Sequence, residues 1–170
     1  MRYLKLLLVM PLLFLLQGCW LILFTDIHGT DDPGEAPQSA YRAVTMPRAT
    51  MENSISLTDA KPVKKSGKIY IKDNLMFVTE VNEGFHIYDY SDPAHPTQKA
   101  YLQVPGATDV AIRNNSLYIN QAVDLVTLNY TGSSVAVTAR TRNIFPSKKS
   151  PDGYWAPAGN NEIIVNWIPR

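Results

Sequence analysis

The sequence predicts an all-β protein built from about two and a half antiparallel, four-stranded, blade-like repeats that form an incomplete β-propeller-like stack. Two pairs of matching segments predict it. IYIKDNLMFV at residues 69–78 lines up with VAIRNNSLYI at 110–119, a spacing of 41 residues. FHIYDYSD at 85–92 lines up with LVTLNYTG at 125–132, a spacing of 40. A fixed period of this size indicates one supersecondary unit that is copied and stacked.

Each copy is expected to hold four strands, which is the content of one propeller blade. In the first copy the strands are predicted at residues 68–72, 75–80, 85–90 and 98–104. Asp73-Asn74 and Asn114-Asn115 favour tight turns at equivalent places. GNNEIIV at 159–165 resembles RNNSLYI at 113–119 and indicates a third, partial copy. Because even four blades of ~40 residues need ~160 residues, we expect no closed ring.

The chain divides into a leader, a tether, a lead-in segment and a β-repeat domain. The expected boundaries are 1–18 for the leader, 19–40 for the tether, 41–66 for the lead-in and 67–170 for the domain, with units 67–106, 107–146 and a partial 147–170. Since a terminal sheet has no repeat partner, residues 41–62 are expected to cover its edge, with self-association as the alternative. Lys148, Lys149 and the nearby prolines are expected to blunt the last edge.

The N-terminus predicts export and lipid attachment. Arg2 and Lys5 precede an apolar run at residues 6–16, the dimensions of a signal-peptide core. The run ends in Leu16-Gln-Gly-Cys19, which resembles the bacterial lipobox and makes Cys19 the expected lipidation site, with cleavage before it. An uncleaved transmembrane helix over residues 6–24 stays open as an alternative. Both interpretations place the residues after 25 outside the cytoplasm. For the lipid-anchored form, the expected location is the bacterial cell envelope, at the outer membrane.

Composition excludes several partners and gives no catalytic signature. The formal charge of +1 falls to −1 when Arg2 and Lys5 are removed, so no nucleic-acid surface is expected. A single cysteine rules out a disulfide within the chain. Nucleophile elbows, phosphate loops and nucleotide fingerprints are missing, so we expect no enzyme and no cofactor.

Histidine and carboxylate residues suggest a metal site as an alternative. His86, Asp92 and His95 lie close together in the sequence with Asp89, and such ligands suit zinc or copper. However, His86 and Asp89 should point to opposite faces of a strand. The run from Asp92 to Pro96 is better explained as a rigid turn, so we expect no metal there. A second cluster, His28 with Asp26, Asp31 and Asp32, lies in the tether, where a rigid cage is not expected.

Aromatic residues supply the candidate contact surface. Tyr90 and Tyr130 occupy equivalent repeat positions, which predicts a shared packing role. Tyr154 and Trp155 lie in an insertion outside the repeat frame and are the expected contact residues for a protein or glycan partner.

A family resemblance agrees with these expectations. The run GKIYIKDNLMFVTEVNEGFHIYDYSDPAHP at 67–96, followed by Pro105-Gly106, resembles the LVIVD repeat of bacterial surface and secreted proteins over roughly residues 64–130. The resemblance implies a β-propeller-like envelope lipoprotein, and residues 41–62 resemble the segment before the first repeat in longer relatives. Those relatives carry more repeats, and most have no known biochemical activity. The expected function is therefore an envelope-anchored binding or scaffold module; a small metal-binding protein or envelope enzyme is the alternative.

Overall fold

Eleven strands and one short helix are found in the computed structural model, which describes residues 38–170. The elements are β1 Tyr41–Pro47, α1 Arg48–Asn53, β2 Ser56–Thr58, β3 Ser66–Lys72, β4 Leu75–Glu80, β5 Gly84–Asp89, β6 Thr97–Gln103, β7 Ala107–Arg113, β8 Ser116–Gln121, β9 Asp124–Tyr130, β10 Val135–Thr141 and β11 Glu162–Pro169. Residues 39–170 form one compact unit. The predicted all-β fold class is confirmed.

The repeat corresponds to two antiparallel sheets. The first sheet has the strand order β2-β6-β5-β4-β3 and the second has the order β10-β9-β8-β7. Strands β3 and β4 have the same lengths as β7 and β8 and lie 41 residues before them. The turns are equivalent too, since Asp73 and Asn114 have positive φ angles of 52° and 53°. Asparagine and aspartate tolerate this left-handed conformation better than most residues, which explains why the turn dipeptides recur.

Strict alternation along the strands gives each sheet two distinct faces. We call the face that carries Phe77 in the first sheet, and its equivalent Tyr118 in the second, the forward face. The opposite one is the backward face. The forward face of the first sheet packs against the backward face of the second and forms the main core. Its fully buried members include Phe77, Phe85, Ile87, Leu102, Ile119, Val126 and Leu128.

The lead-in segment contributes one strand to the first sheet and one strand to a separate sheet with β11. Strand β2 pairs with β6, so it covers that edge of the first sheet, as expected for residues 41–62. Strand β1 pairs instead with β11 from the C-terminal end, a third, two-stranded sheet that the sequence does not predict. The fully buried Met51 of α1 packs with Ile163 and Val165 of β11 in a second core cluster. The two chain ends thus complete the partial third unit together.

One sequence expectation about this region is wrong. Lys148 does not blunt a sheet edge, because its ammonium donates to Asn82 Oδ1 from the β4–β5 turn. Asn82 in turn donates its side-chain amide to Asn166 of β11 at 2.6 Å. Burial lowers the pKa of Lys148 to about 8. The lysine therefore joins the first unit to the third.

Candidate contact surface

The insertion before β11 is held by hydrogen bonds around Ser150. Its buried hydroxyl accepts a bond from Tyr154 N at 2.8 Å, and its backbone N–H donates to Tyr154 O at 2.9 Å. Gly153 closes the turn with a φ of +89°, a conformation that favours glycine. Because the turn is bonded within itself, the aromatic residues that follow are presented on a defined backbone.

Asp152 ties the same turn to the start of the domain. Its carboxylate accepts bonds from Ser39 Oγ and from Ala40 N, each at 2.8 Å. The hydroxyl of Ser150 also donates to it and, with those bonds, lowers the pKa of Asp152. An ionised carboxylate therefore fastens the insertion to the chain just ahead of β1.

Tyr154 and Trp155, the contact residues expected from the sequence, are both on the surface. Trp155 is 57% exposed and Tyr154 is 36% exposed. The ammonium of Lys149 lies 4.9 Å from the centroid of the Trp155 ring, within cation–π range. An exposed tryptophan on a braced turn is the kind of rigid aromatic anchor that dominates binding energy in interfaces.

The residues of the alternative metal site are not brought together. His86 is fully buried on β5, whereas His95 is exposed in the β5–β6 connection. His95 Nδ1 lies 2.9 Å from Asp92 Oδ2, and Asp92 Oδ1 accepts the Ala94 N–H at 3.0 Å, which is the predicted rigid turn. Within residues 38–170 no group of three or more histidine, cysteine or carboxylate residues is placed to hold a metal ion.

His86 belongs to a buried polar network that the sequence does not reveal. Its Nε2 lies 2.9 Å from Glu80 Oε2 and its Nδ1 lies 2.9 Å from Gln98 Nε2. Since Gln98 Nε2 can only donate, His86 Nδ1 is the acceptor and Nε2–H donates to Glu80. Glu80 also accepts the backbone N–H groups of Lys64, at 2.8 Å, and Lys65, at 2.5 Å. The network thus holds residues 59–65, which we call the strap, over the backward face of the first sheet.

The strap also covers Tyr101. The ammonium of Lys61 lies 3.5 Å above the tyrosine ring, and the His86 ring packs against it, tilted by 58°, at a centroid distance of 4.9 Å. The Tyr101 hydroxyl is buried and has no hydrogen-bond partner among residues 38–170. Burial raises the pKa of Tyr101, and the charges of Glu83 and Glu80 act in the same direction. Glu80, His86 and Tyr101 are at most 2% exposed, and their contacts hold the strap on the sheet.

A second buried network fastens α1 to the second sheet. Asp124 has no exposed side-chain surface and accepts bonds from Arg48, at 3.0 Å, and Arg140, at 2.9 Å. It also accepts the backbone N–H of Asn143 at 3.0 Å. Arg140 bonds Gln121 as well, and Gln121 Nε2 donates to Met51 O in α1 at 3.1 Å.

Several expectations cannot be compared with the structure. Cys19, the candidate lipidation site, and the cluster of His28 with Asp26, Asp31 and Asp32 lie outside the described residues. Among residues 38–170, no helix combines the length and the apolar character that crossing a membrane requires.

No protein-family model, no curated protein and no solved structure matches the chain.

Proposed function

We propose that this chain is a lipid-anchored module of the bacterial cell envelope that contacts a protein or glycan partner through Tyr154 and Trp155. The observation that carries the proposal is the exposed aromatic pair on a turn braced by Ser150 and Asp152. Large, rigid aromatic side chains supply contact area at little cost in conformational entropy. The pair lies in the insertion before β11 and is not part of the repeat core.

The anchor part of the proposal rests on the sequence. Leu16-Gln-Gly-Cys19 follows an apolar run, and diacylation of Cys19 would give a membrane attachment that a single acyl chain does not. The likeness to LVIVD-repeat envelope proteins supports the same location. From the sequence alone, residues 25–40, rich in glycine, proline and acidic residues, are expected to act as a tether with a reach of roughly 20 Å.

Metabolic labelling tests the anchor. Cells that express the full chain are grown with radioactive palmitate, and the wild type is compared with Cys19→Ala. We expect label on the wild type and none on the variant, which should accumulate at precursor mass. Label retained by Cys19→Ala would exclude lipidation at this residue.

Site-specific photo-cross-linking in cells tests the contact surface. A benzophenone amino acid replaces Trp155 in the full chain, and a matched chain carries it at Val137, which is 48% exposed on β10. We expect adducts from position 155 and few from position 137. Digestion with protease or with glycan hydrolases then shows whether the partner is protein or glycan. Equal yields at both positions, or no adduct from position 155, would contradict the proposed surface.

A further inference from the structure

Each sheet has one face covered by the other sheet and one face that the other sheet does not reach. The forward face of the first sheet covers the backward face of the second. The backward face of the first sheet and the forward face of the second therefore do not have the other sheet packed against them. Since the two sheets are copies of one unit, these two remaining faces are equivalent to two faces that already fit each other.

The remaining face of the first sheet keeps apolar side chains exposed along its edge strand β3. Ile69 and Ile71 are 61% and 48% exposed. Their equivalents in the second sheet, Val110 and Ile112, pack into the main core against the first sheet. The strap covers the β5–β6 half of this face, through Gln98 and Tyr101, and the end of β4, through Glu80. Two exposed isoleucines side by side on a strand indicate a contact site.

The remaining face of the second sheet carries a shallow groove. It has a volume of about 330 Å³, and its lining includes Ala111, Tyr118, Asn120, Leu125 and Phe145. Tyr118 is 38% exposed, whereas its equivalent in the first sheet, Phe77, is fully buried in the contact between the sheets. The buried Oδ1 of Asn120 has no hydrogen-bond partner among residues 38–170, so a donor from an incoming surface would satisfy it.

The charges of the two units are complementary at the same repeat position. Lys68 of the first unit forms an ion pair with Asp109 of the second, and these residues are 41 positions apart. They are therefore equivalent residues of opposite sign. In any continuation of the stack, Asp109 of one unit would again meet Lys68 of the next.

We propose that two copies of this chain dock head to tail. The forward face of the second sheet of one copy packs on the backward face of the first sheet of the other copy. Around Ile69, Ile71 and Met76 the contact reproduces between chains the packing that their repeat equivalents make within each chain. The strap lies over the β5–β6 half of this face and the end of β4. The contact does not depend on the lipid anchor or on Tyr154 and Trp155. Because the two surfaces differ, the interface is heterologous and closes into a ring or continues as a stack.

The contact within the chain fixes the residues that meet. Phe77 lines a small cavity with Ile112 and Leu117, and its ring centroid is 6.2 Å from that of Tyr130. Replacing each residue by its repeat equivalent places Tyr118 of one copy beside Ile71, Met76 and Tyr90 of the next. Tyr90 is only half-buried while Tyr130 is buried, although both occupy the same repeat position, so Tyr90 keeps surface that a second copy can cover.

Disulfide trapping between two differently tagged, full-length copies tests the proposal. One copy carries Ile71→Cys and the other carries Tyr118→Cys, and cells that express both are treated with a mild oxidant. A second pair, Lys68→Cys with Asp109→Cys in separate copies, tests the charged junction. The controls pair Ile71→Cys with Val137→Cys, and each variant with itself. Copies without an added cysteine contain only Cys19 and give the background yield of dimer.

We expect both designed pairs to yield a doubly tagged dimer, about ten-fold above the controls, because a disulfide forms only where the two Cβ atoms come close. All of the substituted side chains are exposed, so folding is retained. A dimer from Ile71→Cys with itself would mean a symmetric interface and overturn the proposal. If neither designed pair exceeds background, as for a monomer whose isoleucines contact lipid, the proposal is also overturned.

Discussion

The two four-stranded sheets share one repeat, yet their faces are used differently. Phe77 and Tyr118 occupy the same position on β4 and β8, but Phe77 is fully buried while Tyr118 is 38% exposed. Ile71 and Ile112 show the reverse, since the first is exposed and the second packs into the core. Position in the stack therefore decides burial, and position in the repeat decides only which face a residue lies on.

Polar residues at the ends of β4 and β8 show a similar divergence. Glu80 and Gln121 are equivalent, and each binds backbone of the lead-in region: Glu80 accepts from Lys64 and Lys65, and Gln121 donates to Met51. The repeat has kept the position of the attachment and changed its chemistry. A carboxylate suits two N–H donors, whereas an amide can donate to a carbonyl.

The next equivalent pair, Gly84 and Asp124, differs for a steric reason. A Cβ at Gly84 would lie 2.1 Å from Leu102 O, and its φ is +148°, so a side chain does not fit in the first unit. In the second unit the same position carries the carboxylate that joins Arg48 and Arg140. The ionic attachment of α1 can therefore form only at the second sheet.

The largest expected effect comes from truncating the equivalent aromatic residues. Phe77→Ala should lower the free energy of unfolding by about 3–5 kcal/mol, because it leaves a cavity between the sheets. Tyr118→Ala should cost less than about 1 kcal/mol, as is usual for an exposed side chain. Urea unfolding of residues 39–170, followed by the fluorescence of buried Trp167, measures both. Similar losses for the two variants would contradict the assignment of faces.

The second prediction concerns the ionic attachment of α1. Asp124→Ala leaves Arg140, which is 11% exposed, without its carboxylate partner, and leaves Arg48, which is 14% exposed, with Glu52 alone at 3.3 Å. We expect a loss of about 3 kcal/mol, since breaking a buried ion pair leaves uncompensated charge. Asp109→Ala is the matched control and should change stability by less than about 0.5 kcal/mol, because its ion pair with Lys68 is exposed. Equal effects would show that the Asp124 network is dispensable.

Much of the fold could be predicted because the repeat is local in sequence. The spacing of 41 residues and the turns at Asp73 and Asn114 fixed the strands of both sheets to within a few residues. The pairing of β1 with β11 could not be predicted, because the two strands are far apart in sequence and share no repeat partner. Strand pairing over such distances depends on tertiary packing that no local pattern records.

The candidate contact surface was likewise predictable only in part. The exposure of Trp155 could be expected because it lies outside the repeat frame, whereas the bracing by Ser150 and Asp152 depends on a contact with Ser39 across the chain. The partners of His86 were hidden for another reason. Alternation showed that His86 and Asp89 lie on opposite faces, but only the folded strap brings the backbone of Lys64 to the shared partner of His86.

The third prediction separates the two attachments of the lead-in. Glu80→Ala should lower stability by about 2–3 kcal/mol, because two backbone N–H donors and the imidazole of the buried His86 lose their acceptor. Glu80→Gln keeps one acceptor oxygen and should cost less. Gln121→Ala removes one bond to Met51 and one from Arg140, and it should cost about 1 kcal/mol. Hydrogen exchange at Lys64 and Lys65 should accelerate in the Glu80 variants and stay unchanged in Gln121→Ala.

The smallest expected effect is a difference in how stability depends on pH. Burial alone would raise the pKa of Glu80, but the N–H groups of Lys64 and Lys65 and the bond from His86 outweigh it and lower the pKa below 4.5. A carboxyl with a lowered pKa in the folded state adds stability above its unfolded pKa, and that contribution is lost as the pH falls through the folded value. Asp124 behaves likewise, because Asn143, Arg140 and Arg48 together outweigh burial.

The pH dependence of stability can therefore separate the attachment at Glu80 from the attachment at Gln121. Between about pH 7 and pH 3, the free energy of unfolding should fall less steeply for Glu80→Gln than for the wild type, because the variant cannot take up that proton. Gln121→Ala should be less stable at every pH but should keep the slope of the wild type, since an amide does not titrate. Denaturant unfolding at several pH values gives the three slopes. If Glu80→Gln keeps the slope of the wild type, Glu80 is not the carboxylate that makes the strap sensitive to acid.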